Sequence, residues 1–213
     1  MANFRILRWY SPKAINLDED DELVYVRHTD GCDKILIATH EGNAVCFDEN
    51  DARVMGRTAR GVRGIRLAEG DYVVGVALVD ESKKLLTITE NGFGKRSDFD
   101  GFKTRNRGGK GVIVHGLSEK TGLLAAIAVV DEEDDIVIIS DSGITIRTHV
   151  SDISEYSRTA SGVIVMRTGA GKVSAVANVG AADGQSEEEF EDAENGEGAD
   201  ASIAPTADGQ TEE

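Results

Sequence analysis

The chain has 213 residues, 39 acidic against 23 basic, with a net charge of -16, a length that suits one large domain or two small ones. The last 33 residues hold 12 of the acidic residues and no basic one, leaving 27 acidic against 23 basic before them, so the acidity describes a tail and not the body. No apolar run approaches the ~18 residues of a membrane span, and the apolar stretch of MANFRILRWYSPK is too short for a signal peptide. Cys32 and Cys46 form no CxxC and are read as reduced thiols in preference to a disulfide. The four histidines show no HExxH or paired Cys/His spacing, so neither a metal site nor a cofactor is expected.

The sequence repeats with a period of 50 to 51 residues. Gly42, Gly92 and Gly143 mark it, and nineteen residues after each comes Gly61-Val62, Gly111-Val112 or Gly162-Val163. Four residues before each of these second glycines stands an arginine: Arg57, Arg107 and Arg158. Such a period points to a propeller or a solenoid.

Taken in chain order, AINL (14–17) resembles the GIRL of 64–67 and reads as the last strand of a unit that begins earlier. The first unit, about 18–70, is expected to hold strands LVYVRH (23–28), KILIATH (34–40), NAVCFD (43–48) and GIRL (64–67). The second, about 71–121, has VVGVALV (73–79), KLLTITE (84–90), FGKRSD (93–98) and GVIVHGL (111–117). The third, about 122–171, has LLAAIAVV (123–130), DIVIISD (135–141), ITIRTHV (144–150) and GVIVMRT (162–168). These runs are β-branched and apolar, as strands are, and the glycines at 92 and 143 sit where a tight hairpin needs positive φ. The alternating residues of 23–28, 73–79 and 123–130 are expected to fill the blade cores. KVSAVANV (172–179) aligns with YVVGVALV and opens a fourth unit, and strand exchange between neighbouring units would explain both terminal stubs. The expected fold is all-β, a propeller-like array of about three four-stranded blades over 1–179.

Residues 180–213 have one Phe, one Ile and no apolar period. They cannot bury enough surface to offset ordering entropy, and the tail is expected to be disordered. Its composition fits two roles, a solubilising tail or a tethered polyanion that competes for a basic surface.

Basic residues concentrate in the long loop between the third and fourth strands of each unit. The loops carry Arg53, Arg57, Arg60, Arg63 and Arg66 in the first unit, Lys103, Arg105, Arg107 and Lys110 in the second, and Arg158 in the third. The third strands add Lys95, Arg96 and Arg147. Units related by rotation present equivalent loops along one rim, so a nearly neutral body can carry a basic stripe. A stripe with regular spacing suits duplex DNA. Gly108 and Gly109 lack side chains, and their amides are expected to approach a phosphate as in a backbone nest. DEDDE (18–22) and DEEDD (131–135) fall in inter-strand turns and are read as solvated turns, not as a metal site.

MGRTARGVRGIRLAEGD (55–71), ITENGFGKRSDF (88–99), SDSGITIRTHVSDIS (140–154) and SRTASGVIVMRT (157–168) resemble the C-terminal, DNA-wrapping β-pinwheel domain of the bacterial DNA gyrase A protein. The resemblance covers roughly residues 13–180 and is to the second half of that domain. RNRGGKG (105–111) resembles the family's seven-residue box, departing from it at Arg105 and Asn106. The resemblance implies a non-catalytic module that binds and wraps duplex DNA to support supercoiling, with Arg57, Arg60, Arg63, Lys95, Arg96, Lys103, Arg105, Arg107, Gly108, Gly109, Lys110, Arg147 and Arg158 as DNA-binding residues. The implied partners are the remainder of the gyrase A protein and the gyrase B protein, in the cytoplasm with the nucleoid and away from membranes. None of the four tyrosines follows an arginine, as a strand-cleaving tyrosine of that enzyme class would, and GxxxxGK[ST] is absent. Two other readings are the C-terminal domain of the topoisomerase IV A protein and a propeller-like protein-interaction module. Salt separates the last from the rest, because phosphate binding weakens steeply as salt rises.

Overall fold

The computed structural model describes residues 15–19, 21–56 and 59–180; Arg57 and the acidic tail beyond 180 lie outside them. In chain order the strands are β1 (Lys34–Thr39), β2 (Asn43–Asp48), β3 (Val73–Leu78), β4 (Lys84–Thr89), β5 (Phe93–Ser97), β6 (Val112–Ile113), β7 (Leu124–Val130), β8 (Asp135–Ser140), β9 (Thr145–His149), β10 (Val163–Ile164) and β11 (Val173–Gly180). They form three antiparallel sheets: β3-β1-β2-β6, β7-β4-β5-β10 and β11-β8-β9.

The hairpins β1–β2, β4–β5 and β8–β9 lie where the sequence places them. Each turns on a glycine with positive φ, 75° at Gly42, 77° at Gly92 and 84° at Gly143. In each, the glycine N–H closes the turn onto the carbonyl three residues earlier, at 2.9 to 3.0 Å. After each hairpin the chain makes one 3-10 turn, at Glu49–Asp51, Phe99–Gly101 and Val150–Asp152. After the second and third hairpins it then runs to the outer edge of the preceding one, and after all three it returns as the inner strand beside its own. Thus β6 pairs with β2 and β10 with β5, while β3, β7 and β11 pair with β1, β4 and β8.

This corrects the expected units. The first strand assigned to the second unit, 73–79, completes the first unit's sheet, and 172–179 completes the third sheet without opening a fourth. The sheets are two of four strands and one of three. Residues 23–28 and 64–67 form no strand. Their counterparts pair with a hairpin of the same or the preceding unit, and the described residues hold no hairpin ahead of β1. Leu23, Val24 and Val26 are consequently exposed, not core; Tyr25 reaches the inner strand through its hydroxyl, which donates to Val74 O at 2.6 Å.

The sheets pack face on face. Leu36, Ala38, Val74 and Ala77 of the first meet Leu85 and Leu124 of the second. Leu86, Ile88 and Val130 on the second sheet's other face meet Ile136, Ile138 and Val173 of the third. Adjacent Leu85 and Leu86 thus serve two interfaces, which is why β4 is buried on both faces from Leu85 to Thr89. A third cluster, Val45, Phe47 and Ile65, covers the far face of the first sheet.

The start of the exchanged strand has no room for a side chain. A Cβ on Gly162 would lie 2.3 Å from Gly94 O, at a φ of 67°. Replacing Gly162 by alanine is expected to cost well over ~1 kcal/mol, because both the backbone conformation and the contact oppose it. A fall of more than ~3 °C in Tm would show this.

Candidate nucleic-acid interface

The arginine-glycine loops are held to one another by contacts that recur between units. Arg107 Nη1 donates to Arg63 O at 3.0 Å and Arg158 Nη1 donates to Ile113 O at 2.7 Å. Arg63 and Ile113 each stand two residues after the unit's second glycine, so these are one contact made twice. A backbone bond recurs three times: Asn16 N–H to Ala59 O at 3.2 Å, Arg66 N–H to Gly109 O at 2.8 Å and Gly116 N–H to Ala160 O at 3.0 Å. The first of these gives Asn16 of AINL the bond that Arg66 and Gly116 make at the equivalent positions. The loops therefore form a continuous rim, tied through main-chain carbonyls that accept from both side chains and amides.

The recurring arginine is a staple as well as a cation. Arg107 is half-buried, and its Nε also donates to Asp51 O at 2.9 Å. Its charge remains at the rim, but two of its donors are committed to protein. The same holds for the Gly108 amide, which donates to Gly64 O at 2.5 Å. The expected phosphate nest is thus occupied at Gly108 by the neighbouring unit; Gly109 is exposed and gives its carbonyl to Arg66.

Arg63, Lys103, Arg105 and Lys110 are exposed on the 61–66 and 103–110 loops, which the Arg107 and Gly108 bonds bring side by side. Arg60 is exposed and pairs with Asp18 at 2.9 Å, so part of the DEDDE cluster neutralises it. Arg158 is half-buried beside Gly101.

Three expected site residues do not point to solvent as free cations. Lys95 is 0% exposed, and its Nζ donates to Ser157 O at 2.8 Å and Arg158 O at 2.6 Å. Burial, and after it the charge of Arg158, pushes its ammonium down to about 8. Arg96 is 7% exposed, with Nε on Ile153 O at 2.6 Å and Nη1 on Glu132 Oε1 at 2.9 Å. Arg147 reaches solvent but pairs with the buried Asp135, Nε to Oδ2 at 2.8 Å, and His149 Nδ1 lies against Asp135 Oδ1. The last acidic residue of DEEDD is therefore a buried partner and not a solvated turn residue.

Residues 87 and 115 carry a role that composition alone does not announce. His115 is buried; its Nε2 meets Ser161 O at 3.0 Å and its Nδ1 meets Thr87 Oγ1 at 2.9 Å. A carbonyl only accepts, so Nε2 carries the proton and the threonine hydroxyl donates to Nδ1. Burial, then the Lys95 charge, pushes the imidazole down to about 4. The signal in the sequence is comparative: the first unit has Ile37, Val45 and Ile65 at the places of Thr87, Lys95 and His115, and the third has Ile138, Ile146 and Met166.

Among known proteins, the family described as "DNA gyrase C-terminal domain, beta-propeller" matches residues 13–30, 33–80, 83–131 and 134–179. These segments follow the phase of the sheets. The DNA gyrase A protein of Aminobacterium colombiense is 47% identical over 167 residues, 78% of this chain and 20% of that protein. The DNA gyrase A protein of Staphylococcus epidermidis is 42% identical over 182 residues, 84% of this chain and 20% of that protein. The chain spans about a fifth of the length of these curated relatives. A crystal structure of the C-terminal domain of DNA topoisomerase IV superposes with a TM-score of 0.73 at 29% identity, over 79% of this chain and 53% of that one. A DNA gyrase A C-terminal domain gives 0.68 at 28% identity, over 78% and 57%.

Proposed function

Because the chain belongs to the DNA gyrase C-terminal domain family, we propose that it is a non-catalytic module of a type IIA topoisomerase that binds duplex DNA on its basic rim and bends it in support of supercoiling. The observation that carries this reading is the rim itself. Exposed Arg63, Lys103, Arg105 and Lys110 stand on loops locked together by repeated inter-unit bonds, so their charges are spaced by the fold. Rigid spacing of cations suits a ligand whose phosphates recur at fixed intervals, and phosphate contacts position a duplex without reading its sequence. Preference among sequences then comes from the elastic cost of bending them. The remainder of the gyrase A protein and the gyrase B protein are the proposed partners, in the cytoplasm with the nucleoid. In this proposal strand cleavage and ATP hydrolysis belong to other parts of the assembly.

Membership of the topoisomerase IV branch is the second reading, favoured by the 0.73 superposition. The 42 to 47% identity to gyrase A proteins favours gyrase.

Titrating the chain with mixed-sequence duplexes across a salt series tests the proposal. If each exposed rim cation meets one phosphate, log K is expected to fall with log salt at a slope of about -3 to -5, similarly for unrelated sequences. Absence of DNA binding at low salt, or binding that salt does not weaken, would remove the proposed role.

A further inference from the structure

We propose that Lys95, backed by His115 and Thr87, is a positioning residue that fixes the 157–161 loop and thereby sets Arg158 on the rim. This rests on the rim being the DNA-binding surface.

The second unit departs from its neighbours in the chemistry of one buried cluster. Where the first and third units have apolar residues, it has Thr87, Lys95 and His115. Burying a lysine and a histidine has a desolvation cost, and the neighbouring units show that the sheet folds with aliphatic residues there. The polar set is directed at one loop. Lys95 Nζ donates to Ser157 O and Arg158 O, and His115 Nε2 donates to Ser161 O. Neighbouring β5 residues extend the grip: Ser97 Oγ donates to Tyr156 O at 2.7 Å, and Arg96 Nε donates to Ile153 O. Within the loop itself there is little to order it. Ser157, Thr159 and Ser161 are exposed, and Ala160 N–H turns back locally onto Ser157 O at 3.0 Å. Holding the Ser157 and Arg158 carbonyls fixes the backbone from which Arg158 reaches Ile113 O. The equivalent loop of the second unit shares two backbone bonds with it: Arg105 N–H donates to Cys46 O as Tyr156 N–H donates to Arg96 O, and Gly109 O accepts from Arg66 N–H as Ala160 O accepts from Gly116 N–H. They differ in how the arginine is held. Arg107 bridges two carbonyls, Asp51 O and Arg63 O, whereas Arg158 reaches Ile113 O alone. Lys95 supplies the hold that the second carbonyl gives Arg107.

The test compares the full chain with Lys95→Met, Lys95→Gln, Arg158→Ala and the Lys95→Met/Arg158→Ala double variant. Lys95→Met keeps the length of the side chain and resembles the apolar residues of the sister units, so the sheet is expected to fold with its Tm kept or raised. Backbone order of 157–161, read by amide relaxation and exchange, is expected to fall at least about fivefold in protection, with other loops unchanged. The salt slope of DNA binding is expected to flatten by about 1, the share of one phosphate contact. Arg158→Ala should flatten it equally, and the double variant no further, because both remove the same contact. Lys95→Gln, which keeps one N–H donor, should lie between, and it serves in place of Lys95→Met should that variant not fold. Unchanged loop order in the lysine variants would overturn the proposal, as would additive effects of the lysine and arginine changes on DNA affinity. If the unaltered chain binds no DNA, the functional reading fails, while the order of 157–161 still decides whether Lys95 holds the loop.

Discussion

Changing Lys103, Arg105 and Lys110 together to alanine is expected to flatten the salt dependence of DNA affinity by about 2.7 in log K against log salt, from roughly 0.9 for each phosphate contact. Between about 50 and 200 mM salt the unaltered chain should then lose about 40-fold more affinity than the variant. All three side chains are exposed and make no side-chain hydrogen bond or ion pair among the described residues, so the fold should survive within ~0.5 kcal/mol for each change. Arg107 belongs outside this set. Its guanidinium joins Asp51 O and Arg63 O, and its removal would mix a lost charge with a loosened junction. The control is Glu133→Gln, an exposed turn residue. Glu132 is unsuitable because it pairs with Arg96. A triple variant with the original slope would move the DNA path away from 103–110 and onto the loop of Arg60 and Arg63.

Acid is expected to weaken the fold before its carboxylates titrate, and His115 is the reason. In the unfolded chain this imidazole takes up a proton near pH 6.5; in the fold it does so only at about 4. Between those values the unfolded state binds a proton that the folded state refuses. Stability from this group is therefore fully present above pH 6.5 and declines as pH falls towards 4. The ceiling is about 3 kcal/mol, from ~1.4 kcal/mol for each pH unit of the gap. Asp48, Glu49, Asp80 and Asp98 are held below their ordinary values chiefly by hydrogen bonds, so their contributions are lost only at lower pH. Urea unfolding at about pH 7 and about pH 4.5 should show the decline, and His115→Ile, which installs the first unit's Ile65, should remove most of it. An identical decline in that variant would place the acid sensitivity elsewhere.

The sequence is most legible where the physics is local. The three hairpins, their turn glycines and the arginine four residues before each second glycine follow from spacing and from the φ a tight turn requires. The phase of the units is not legible, because a period has no origin. LVYVRH and VVGVAL have the same apolar, β-branched character, yet only the second has a hairpin edge beside it. The basic residues are legible as a group and not one by one. Alternation along β5 puts Lys95 on the face shared with Leu85 and Thr87, where a charge is not expected. Only the loop that folds over it, sixty residues later, supplies the carbonyls that make burial tolerable. Arg96 and Arg147 match in register, but one is enclosed by the next unit and the other stands on the third sheet's β9, which lacks an outer strand among the described residues.

The exchanged outer strand also bears on how such an array can change its length. The second and third segments each carry a hairpin, lend one short strand backward and keep one long strand for themselves. Remove one whole period and the hairpin before the gap receives its borrowed strand from the next segment, whose Gly-Val-Ile run is the same in β6 and β10. Remove half a period and a hairpin is left with its outer amides and carbonyls facing water and an edge open to foreign strands. Gain and loss by complete repeats is thus the tolerated route, and an exchange that joins the identical GVIV runs at 111–114 and 162–165 would produce it in register.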